Sequence, residues 1–480
     1  MARILRKMSH KKATDTNMSQ KVKIKGKIKL YPEYKDSGIE WLGKIPKHWN
    51  VKKMKFNTSI RFSNVNKKSE KNEEGVRLCN YVDVYHNDFI TLKLNFMNAT
   101  ASKEEIRKFR LNIGNVILTK DSESWDDIAV PAYVAESEDK LLCGYHLAQI
   151  KPIVKILNGK FLFWILSGNA FNYQYKVEAK GVTRYGLSNY ALSNSRIVLL
   201  PIDEQKTIAD YLDKKTAQID DLIRKKEKII ELLKEERIAV INNVVTRGID
   251  PNVKLKDSGI EWLGKIPKQW ELKKLRYLGQ FQNGISKGAE YFGSGYPFLS
   301  YGDVYNNMVL PRIVKGLAQS SKDEKGKMSV KEGDVFFTRT SETIEEIGIA
   351  SICLQKIQDA VFSGFLIRFR PSVKGIIKEF SKYYFRNNIT QKFFTKEMNI
   401  VTRASLAQEL LKRLPVLLPP YLEQKQIANY LDKKTSQIDN QLNSEKKLIK
   451  LLKEYRTALI SEVVTGKIDV RNKYDKKNGI

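Results

Sequence analysis

Two loops of unlike sequence stand at matching places in this chain and carry side chains suited to phosphate and base-edge chemistry. TKDSESWDD (119–127) has its counterpart in TRTSETIEE (338–346). Tyr85-His86-Asn87 answers Tyr305-Asn306-Asn307, and Thr183-Arg184-Tyr185 answers Thr402-Arg403. Lys and Arg neutralise phosphates, and Arg, Asn, Gln, Tyr, Ser and Thr hydrogen-bond to base edges. The candidates are Tyr85, Asn87, Lys120, Ser122, Arg184 and Tyr185 in the first half, and Tyr305, Asn306, Arg339, Ser341 and Arg403 in the second. Arg61 with Asn64 and Asn66, and Asn283 with Lys287, are weaker additions. Any one of these is equally well read as a solvated loop side chain. As sets they weigh more, because the loops differ where the frame around them does not.

Covalent and metal chemistry finds little support. The four histidines (His10, His48, His86, His146) form neither HExxH nor any ligand cluster, so no metal site is expected. GIEWLGK (38–44), repeated at 259–265, fits G-x-x-x-x-G-K. A phosphate-binding loop needs Ser or Thr next, to hold magnesium, and a helix after it. Ile45-Pro46 and Ile266-Pro267 follow instead, which reads as a docking turn anchored by Trp41, Trp49, Trp262 and Trp270. LPPY (418–421) approaches the (Asn/Asp)-Pro-Pro-(Tyr/Phe) signature of amino-methyltransferases, but Leu418 cannot accept hydrogen bonds from a target amine. It reads better as a proline stop before a helix. Glu204-Gln205-Lys206 is likewise better explained by a helix start than by nuclease chemistry. No catalytic residue is assigned.

The frame that positions the loops is written twice. Residues 35–49 (KDSGIEWLGKIPKHW) and 256–270 (KDSGIEWLGKIPKQW) match at fourteen of fifteen places. PIDEQKTIADYLDKKTAQID (201–220) returns as PYLEQKQIANYLDKKTSQID (420–439), and VVTRGID (244–250) as VVTGKID (463–469). Between these blocks only islands align: YVDVY (81–85) with YGDVY (301–305), and GNVILTK (114–120) with GDVFFTR (333–339). A repeat this long implies one structural unit built twice.

Residues 203–246 contain no Gly or Pro and repeat apolar residues at helical spacing: Ile208, Leu212, Ile219, Leu222, Ile229, Leu233 and Val240. Asp203 is the expected N-cap and Gly248 the stop. At 1.5 Å per residue the helix is a rod of roughly 65 Å. Residues 421–465 repeat the stripe through Ile427, Leu431, Ile438, Leu442, Leu448, Leu452 and Leu459, so the two helices are expected to pair as a coiled coil, imperfect at Lys215 and Lys226; the alternative is that each packs only on its own globular half. The divergent segments mix short β runs (NVILT 115–119, DVFFT 334–338, FLIRF 365–369) with helical stretches near 158–178 and 374–397. The fold class is mixed α/β. The expected divisions are a basic arm at 1–27, a domain at 28–200, a helix at 201–250, a second domain at 251–419, a second helix at 420–470 and a tail at 471–480.

Composition narrows the partner. In 480 residues, 85 Lys and Arg against 54 Asp and Glu give a net charge of +31, which points to a polyanion, nucleic acid before acidic membrane. No run of 18 apolar residues argues for a membrane span, and the basic N-terminus lacks the apolar stretch of a secretory signal. Cys79, Cys143 and Cys353 are widely spaced and form no CxxC, which suits a reducing cytoplasm.

DSGIEWLGKIP, a variable domain, then EQ…IA.YLD….ID on a long helix, all repeated, resembles the specificity subunit of type I restriction–modification systems. The resemblance spans about residues 28–470. It implies two target-recognition domains joined by antiparallel coiled-coil helices in a pseudo-twofold arrangement, with no catalytic site. It implies double-stranded DNA as ligand, read as a bipartite asymmetric target with one half-site per domain. It also implies that the helices recruit two modification subunits, with Ile219, Leu222, Leu233, Ile438, Leu442 and Leu452 as the expected contact positions. Those subunits bind S-adenosylmethionine and methylate adenine; restriction subunits, using ATP and Mg, are a further implied partner. No cofactor is expected in this chain itself. A two-fold reader places half-sites about one helical turn, roughly 34 Å, apart, so helix length would act as a ruler. The readings left beside this one are a stand-alone DNA-binding regulator, a self-contained methyltransferase or nuclease, and a structural coiled coil.

Overall fold

The computed structural model describes residues 29–341, 343, 346–372, 375–397 and 404–471. The arm at 1–27, Thr402 and Arg403, and the tail beyond Arg471 lie outside the described residues. Internal contacts divide the chain into two units. One comprises residues up to 225 together with those from 448 onward; the other is 226–447. This departs from the expected division, because neither long helix is a domain of its own. Each contributes one half to each unit.

In the first unit a five-stranded sheet runs in the order Thr58–Phe62, Leu147–Pro152, Val116–Thr119, Pro131–Val134, Phe89–Ile90, antiparallel except for the last pair. A three-stranded sheet (Leu141–Cys143, Glu74–Cys79, Met97–Ala101) lies beside it in sequence and has its own core. The second unit repeats the plan with Gly279–Asn283, Leu366–Pro371, Val335–Thr338 and Ala350–Ile352, all antiparallel. Its second sheet is Gly316–Ala318, Phe292–Leu299, Val361–Phe362. The fully buried strands VILT and VFFT are the sequence islands; runs buried on both faces read as continuous apolar segments. The expected helical stretches are each two helices: Gly159–Ser167 and Asn169–Glu178, broken at Gly168, and Lys378–Tyr384 and Asn388–Glu397.

The long helices are Ile202–Arg247 and Tyr421–Val464. Asp203 is not the N-cap: it lies within the first turn, its carboxylate exposed beside Lys206. Gly248 does end the helix, at φ 79°, with its N–H on the Val244 carbonyl (3.0 Å). In the first unit Ile208, Leu212, Ile219 and Ile223 share one core with Leu459, Ile460 and Val463 from the second helix. In the second unit Val244 and Val245 share a core with Ile427 and Leu431. There Lys226 meets Glu445 (3.2 Å) and Arg237 meets Asp439 (3.0 Å), a register that runs antiparallel. Lys226, expected to weaken the seam, is thus satisfied by an ion pair.

The repeated EQ dipeptides turn out to be anchors. Gln205, with no exposed surface, donates to the carbonyls of Ile156 (2.9 Å) and Leu200 (2.8 Å) and accepts from the Asn158 N–H (2.8 Å). Gln424 donates to Pro419 O (3.0 Å) and accepts from Ile377 N–H (2.9 Å). Glu204 accepts from Tyr31 (2.8 Å) and Trp49 Nε1 (3.1 Å) and lies 2.8 Å from His48 Nε2. The GIEWLGK segments are tight turns, with Gly38, Gly43, Gly259 and Gly264 at left-handed φ between 66° and 72°. Trp49 and Trp270 are fully buried beneath them, as a docking turn requires. Cys79 and Cys143 face each other across parallel strands as free thiols; burial pushes Cys143 up to about 12, so it is an inert packing group.

Gln205→Ala would leave one buried N–H and two carbonyls unpaired, at about 1–3 kcal/mol per orphaned group. Thermal unfolding of the first unit should fall accordingly, and Gln424→Ala should do the same in the second. An unchanged melting curve would refute the anchoring role.

Candidate nucleic-acid interface

Each unit builds the same small constellation from the Y-x-D-V-Y island. In the first, Asn80 and Asp83 form a capping box that starts the one-turn helix Tyr81–Tyr85. The i, i+4 spacing brings the two tyrosine rings into a stack, centroids 5.5 Å apart and planes 16° apart. Tyr85 Oη donates to Asp127 Oδ2 at 2.6 Å. That hydrogen bond and the carboxylate charge push the Tyr85 hydroxyl up to about 12. Burial raises Tyr81, while a hydrogen bond with Ser122 lowers it.

The second unit repeats this with Ser300 and Asp303 as the capping box of Tyr301–Tyr305. The rings stack at 5.7 Å and 20°, and Tyr305 Oη donates to Glu346 Oε1 at 2.7 Å. Burial raises Tyr301 and the Glu346 charge adds to it, whereas hydrogen bonds with Thr338 and Ser341 act against both. The paired loops are thereby tied to the same helix in both units.

Around the first constellation the structure gathers most of the expected residues. Ser122 is buried, pairs with Tyr185 across a two-residue ladder and accepts from the Ser124 N–H (3.2 Å). Arg184 is exposed, with an Nη 3.3 Å from His146 Nδ1, which itself lies 2.7 Å from Asp121. The Lys120 ammonium sits over the rings of Phe62 (5.3 Å) and Tyr145 (4.7 Å), a cation–π setting. In the second unit Arg339 is half-buried, its backbone bonded to Phe365 and Leu406, and Ser341 accepts from the Thr343 N–H (3.3 Å). Ser341 pairs with Ala404, next to the expected Arg403.

Other candidates are committed elsewhere. Asn87 and Asn307 donate to the carbonyls of Asp83 and Asp303 (2.9 Å each), and Asn306 to Gly302 O (3.0 Å); these amides finish the short helices. Arg61 donates to Lys108 O (2.9 Å), and Asn64 to Glu105 (3.3 Å). Asn283 accepts from Gln408 (2.7 Å). Lys287 is neutralised by Glu324 at 2.7 Å, and a lysine so paired is a poor phosphate ligand. Asp127, Glu346, Tyr81, Tyr301 and Tyr145 belong to the constellations and are not among the residues expected from the sequence. The Tyr-x-x-x-Tyr spacing was the available signal; the carboxylate partners lie some 40 residues away and gave none.

No group of His, Cys, Asp and Glu able to hold a metal ion occurs among the described residues, and none of their helices is long and apolar enough to cross a membrane. The sequence matches the family described as the type I restriction modification DNA specificity domain twice, over residues 47–232 and 267–453. The chain belongs to this family. It is the DNA specificity subunit of a type I restriction–modification system, with two target-recognition domains, and the family is non-catalytic.

It is similar to the EcoKI specificity subunit of Escherichia coli, 29% identical over 262 residues (51% of this chain and 53% of that one). It is also similar to the MjaVIII specificity subunit of Methanocaldococcus jannaschii, 26% identical over 324 residues (66% and 72%). Among solved structures, the HsdS subunit of Thermoanaerobacter tengcongensis shares the fold with a TM-score of 0.55 at 15% identity, covering 88% of this chain and 98% of that one. A chain from a structure describing assembly and conformational transition of the type I restriction–modification system gives a TM-score of 0.65 at 13% identity, with the same coverage.

For a specificity subunit the helix surfaces matter as much as the loops. Of the expected partner-contact positions, Ile219, Ile438 and Leu442 are buried within the chain, and Leu233 and Leu452 are half-buried. Only Leu222 is exposed. Other exposed apolar positions on the helices are Leu448, Leu451 and Tyr455 in the first unit and Ile229, Leu232, Ile238, Tyr421 and Leu422 in the second. Hydrophobic periodicity finds the stripe but does not separate its buried flank from its exposed one.

The Tyr85 shift is testable directly. Asp127→Asn removes the charge while leaving an acceptor, so the hydroxyl should return from about 12 toward the ordinary 10. Titration by tyrosine Cζ NMR reads this; an unmoved resonance would refute the pairing.

Proposed function

We propose that each target-recognition domain reads one half of a split, asymmetric DNA site, and that modification subunits act at the sites so chosen. The observation that carries this reading is the repeated constellation bearing unlike loops. The stacked tyrosines and their carboxylate are common to both units, while the loops Lys120–Asp127 and Arg339–Glu346 change character at Asp121 against Thr340 and Trp125 against Ile344, and His86 stands against Asn306 after the short helix. Arg184, Tyr185, Lys120 and Ser122 are proposed to serve the first half-site, with Tyr85 and Asn87 positioning them. Arg339, Ser341 and Arg403 are proposed to serve the second, with Tyr305 and Asn306 positioning them. The excess of positive charge supports phosphate contacts, each worth about −0.9 in the slope of log K against log salt.

The chemistry belongs to partners. S-adenosylmethionine is proposed to bind the modification subunits, which methylate adenine, and ATP with Mg the restriction subunits where these join. The likeness to a chain from an assembled type I system supports membership in such a complex. The setting proposed is the cytoplasm, where DNA is accessible and the buried thiols stay reduced.

Two experiments test this. The chain is co-expressed with a cognate modification subunit in a methylation-free host, and modified adenines are mapped by sequencing. One split motif is expected, absent without this chain. Arg184→Ala should relax one half-site, and Arg339→Ala or Arg403→Ala the other, by about 1–3 kcal/mol per lost bidentate contact. An assembled, cofactor-loaded complex that writes no motif refutes the reading.

The second concerns recruitment. Ile229 and Leu232 occupy, in the second unit, the repeat positions of Leu448 and Leu451 in the first, and i, i+3 spacing puts each pair on one helix face. Two equivalent stripes suit two modification subunits. Leu448→Glu with Leu451→Glu should reduce the bound copies from two to one in native mass spectrometry, and Ile229→Glu with Leu232→Glu should remove the other. The cost is about 1.5–3 kcal/mol per aliphatic side chain buried. Unchanged stoichiometry would exclude these faces.

A further inference from the structure

The second unit contains a cleft of about 290 Å³ whose lining includes Arg237, Asn242, Asn306, Met308, Tyr383 and Arg386. The first unit shows how the same place is neutralised. There Arg456 donates through Nε to Asp220 (2.9 Å) and through Nη2 to Asp88 (2.5 Å). In the second unit Arg237 repeats only the first of these bonds, to Asp439 at 3.0 Å. Phe89 against Tyr133 and Val309 against Ile352 are equivalent parallel pairings, so the residue preceding each is equivalent too. That residue is Asp88 in one unit and Met308 in the other.

A second exchange adds to the first. Trp164 donates to Asp213 (2.8 Å) and Tyr383 to Asp432 (2.6 Å) from matching helices, and three residues further on stand Ser167 and Arg386 respectively. The place has therefore lost one carboxylate and gained one guanidinium. Arg386 donates to the carbonyls of Tyr305 (2.7 Å) and Ala350 (3.2 Å), and no carboxylate pairs with it among the described residues. Burial lowers its pKa and the charge of Arg237 lowers it further, the signature of two cations sharing a partly desolvated site. Such a pair is stabilised by an anion that forms charge-assisted bonds with both.

We propose that this cleft binds a phosphate oxyanion between Arg237 and Arg386, in the position that the Asp88 carboxylate fills in the first unit. The source is a backbone phosphate of DNA, because Arg386 holds the Tyr305 carbonyl and Asn306 lines the cleft. That choice of source rests on the DNA-reading role proposed above; free phosphate offers the same chemistry.

The test uses the full chain and two variants. Arg386→Gln removes one guanidinium. Met308→Asp restores the sister unit's carboxylate beside Arg237 and keeps Arg386 on its carbonyls, so it guards against loss of folding. Inorganic phosphate at constant ionic strength should raise the melting temperature of the native chain and leave both variants unmoved. In the complex with modification subunits, both variants should lower the salt slope of DNA binding by about 0.9 per lost contact. A phosphate shift with an unchanged slope assigns the cleft to free phosphate. No shift and no change of slope overturns the proposal. So does a native chain indifferent to phosphate whose Arg386→Gln variant no longer assembles, which would mark an acidic side chain of a partner as the occupant. Adenine mapping of the native complex is the separate control: absence of a split motif would defeat the DNA-reading role, while the phosphate shift would still decide the cleft.

Discussion

Each unit depends on one buried carboxamide at the start of its long helix. The first turn of a helix leaves backbone donors unpaired, and a buried start must also satisfy the chain that leads into it. Gln205 does this for Asn158, Ile156 and Leu200, and Gln424 for Ile377 and Pro419. A shorter or charged side chain could not serve as donor and acceptor at once in so dry a place. The bond fixes the helix to the strand before it and to the helices at Gly159–Ser167 and Lys378–Tyr384, on which the sheet and its loops rest. The neighbouring frame is less strict: Trp49 Nε1 donates to Glu204, whereas Trp270 Nε1 has no partner among the described residues.

What could be read in the sequence follows from the range of the interactions involved. The long helices are set by local periodicity, and Ile202–Arg247 and Tyr421–Val464 agree with the stripes to within a residue or two. The buried strands VILT and VFFT announced themselves as unbroken apolar runs. The break at Gly168 is masked in the sequence by the helical character on both sides of it. The candidate site was legible only as regions. Lys287 reads as a free lysine in the sequence because Glu324, which neutralises it, lies far along the chain; Asn87 and Asn306 read as available because their capping bonds to the backbone leave no trace in composition. Pairs such as Tyr85 with Asp127 are tertiary, and one sequence carries no record of them.

Internal repetition supplies the comparison that a single sequence otherwise lacks. Where both copies keep the same chemistry, the frame requires it: the capping box, the stacked tyrosines, a carboxylate on the second hydroxyl. Where chemistry differs at an equivalent backbone position, the difference is free to encode function. The exchange of Asp88 for Met308 and of Ser167 for Arg386 is of this kind, since the parallel pairing beside the first, a strand in one unit and a single bridge in the other, and the helices carrying Trp164 and Tyr383 beside the second keep equivalent places.

This logic also limits what the tyrosine pair can do. A device common to two readers cannot be the source of their difference. Tyr81–Tyr85 and Tyr301–Tyr305 hold their loops to the sheet through Asp127 and Glu346, and so determine where a loop stands. What the loop meets there depends on side chains that share no such constraint. Arg184 beside His146 and Asp121, Lys120 over two aromatic rings, and Arg339 held through its backbone and by a long bond from its guanidinium to the Gly364 carbonyl (3.5 Å) are three different electrostatic surfaces on one scaffold. Sequence preference can then change by substitution within a loop, without cost to the buried bonds that keep the unit folded.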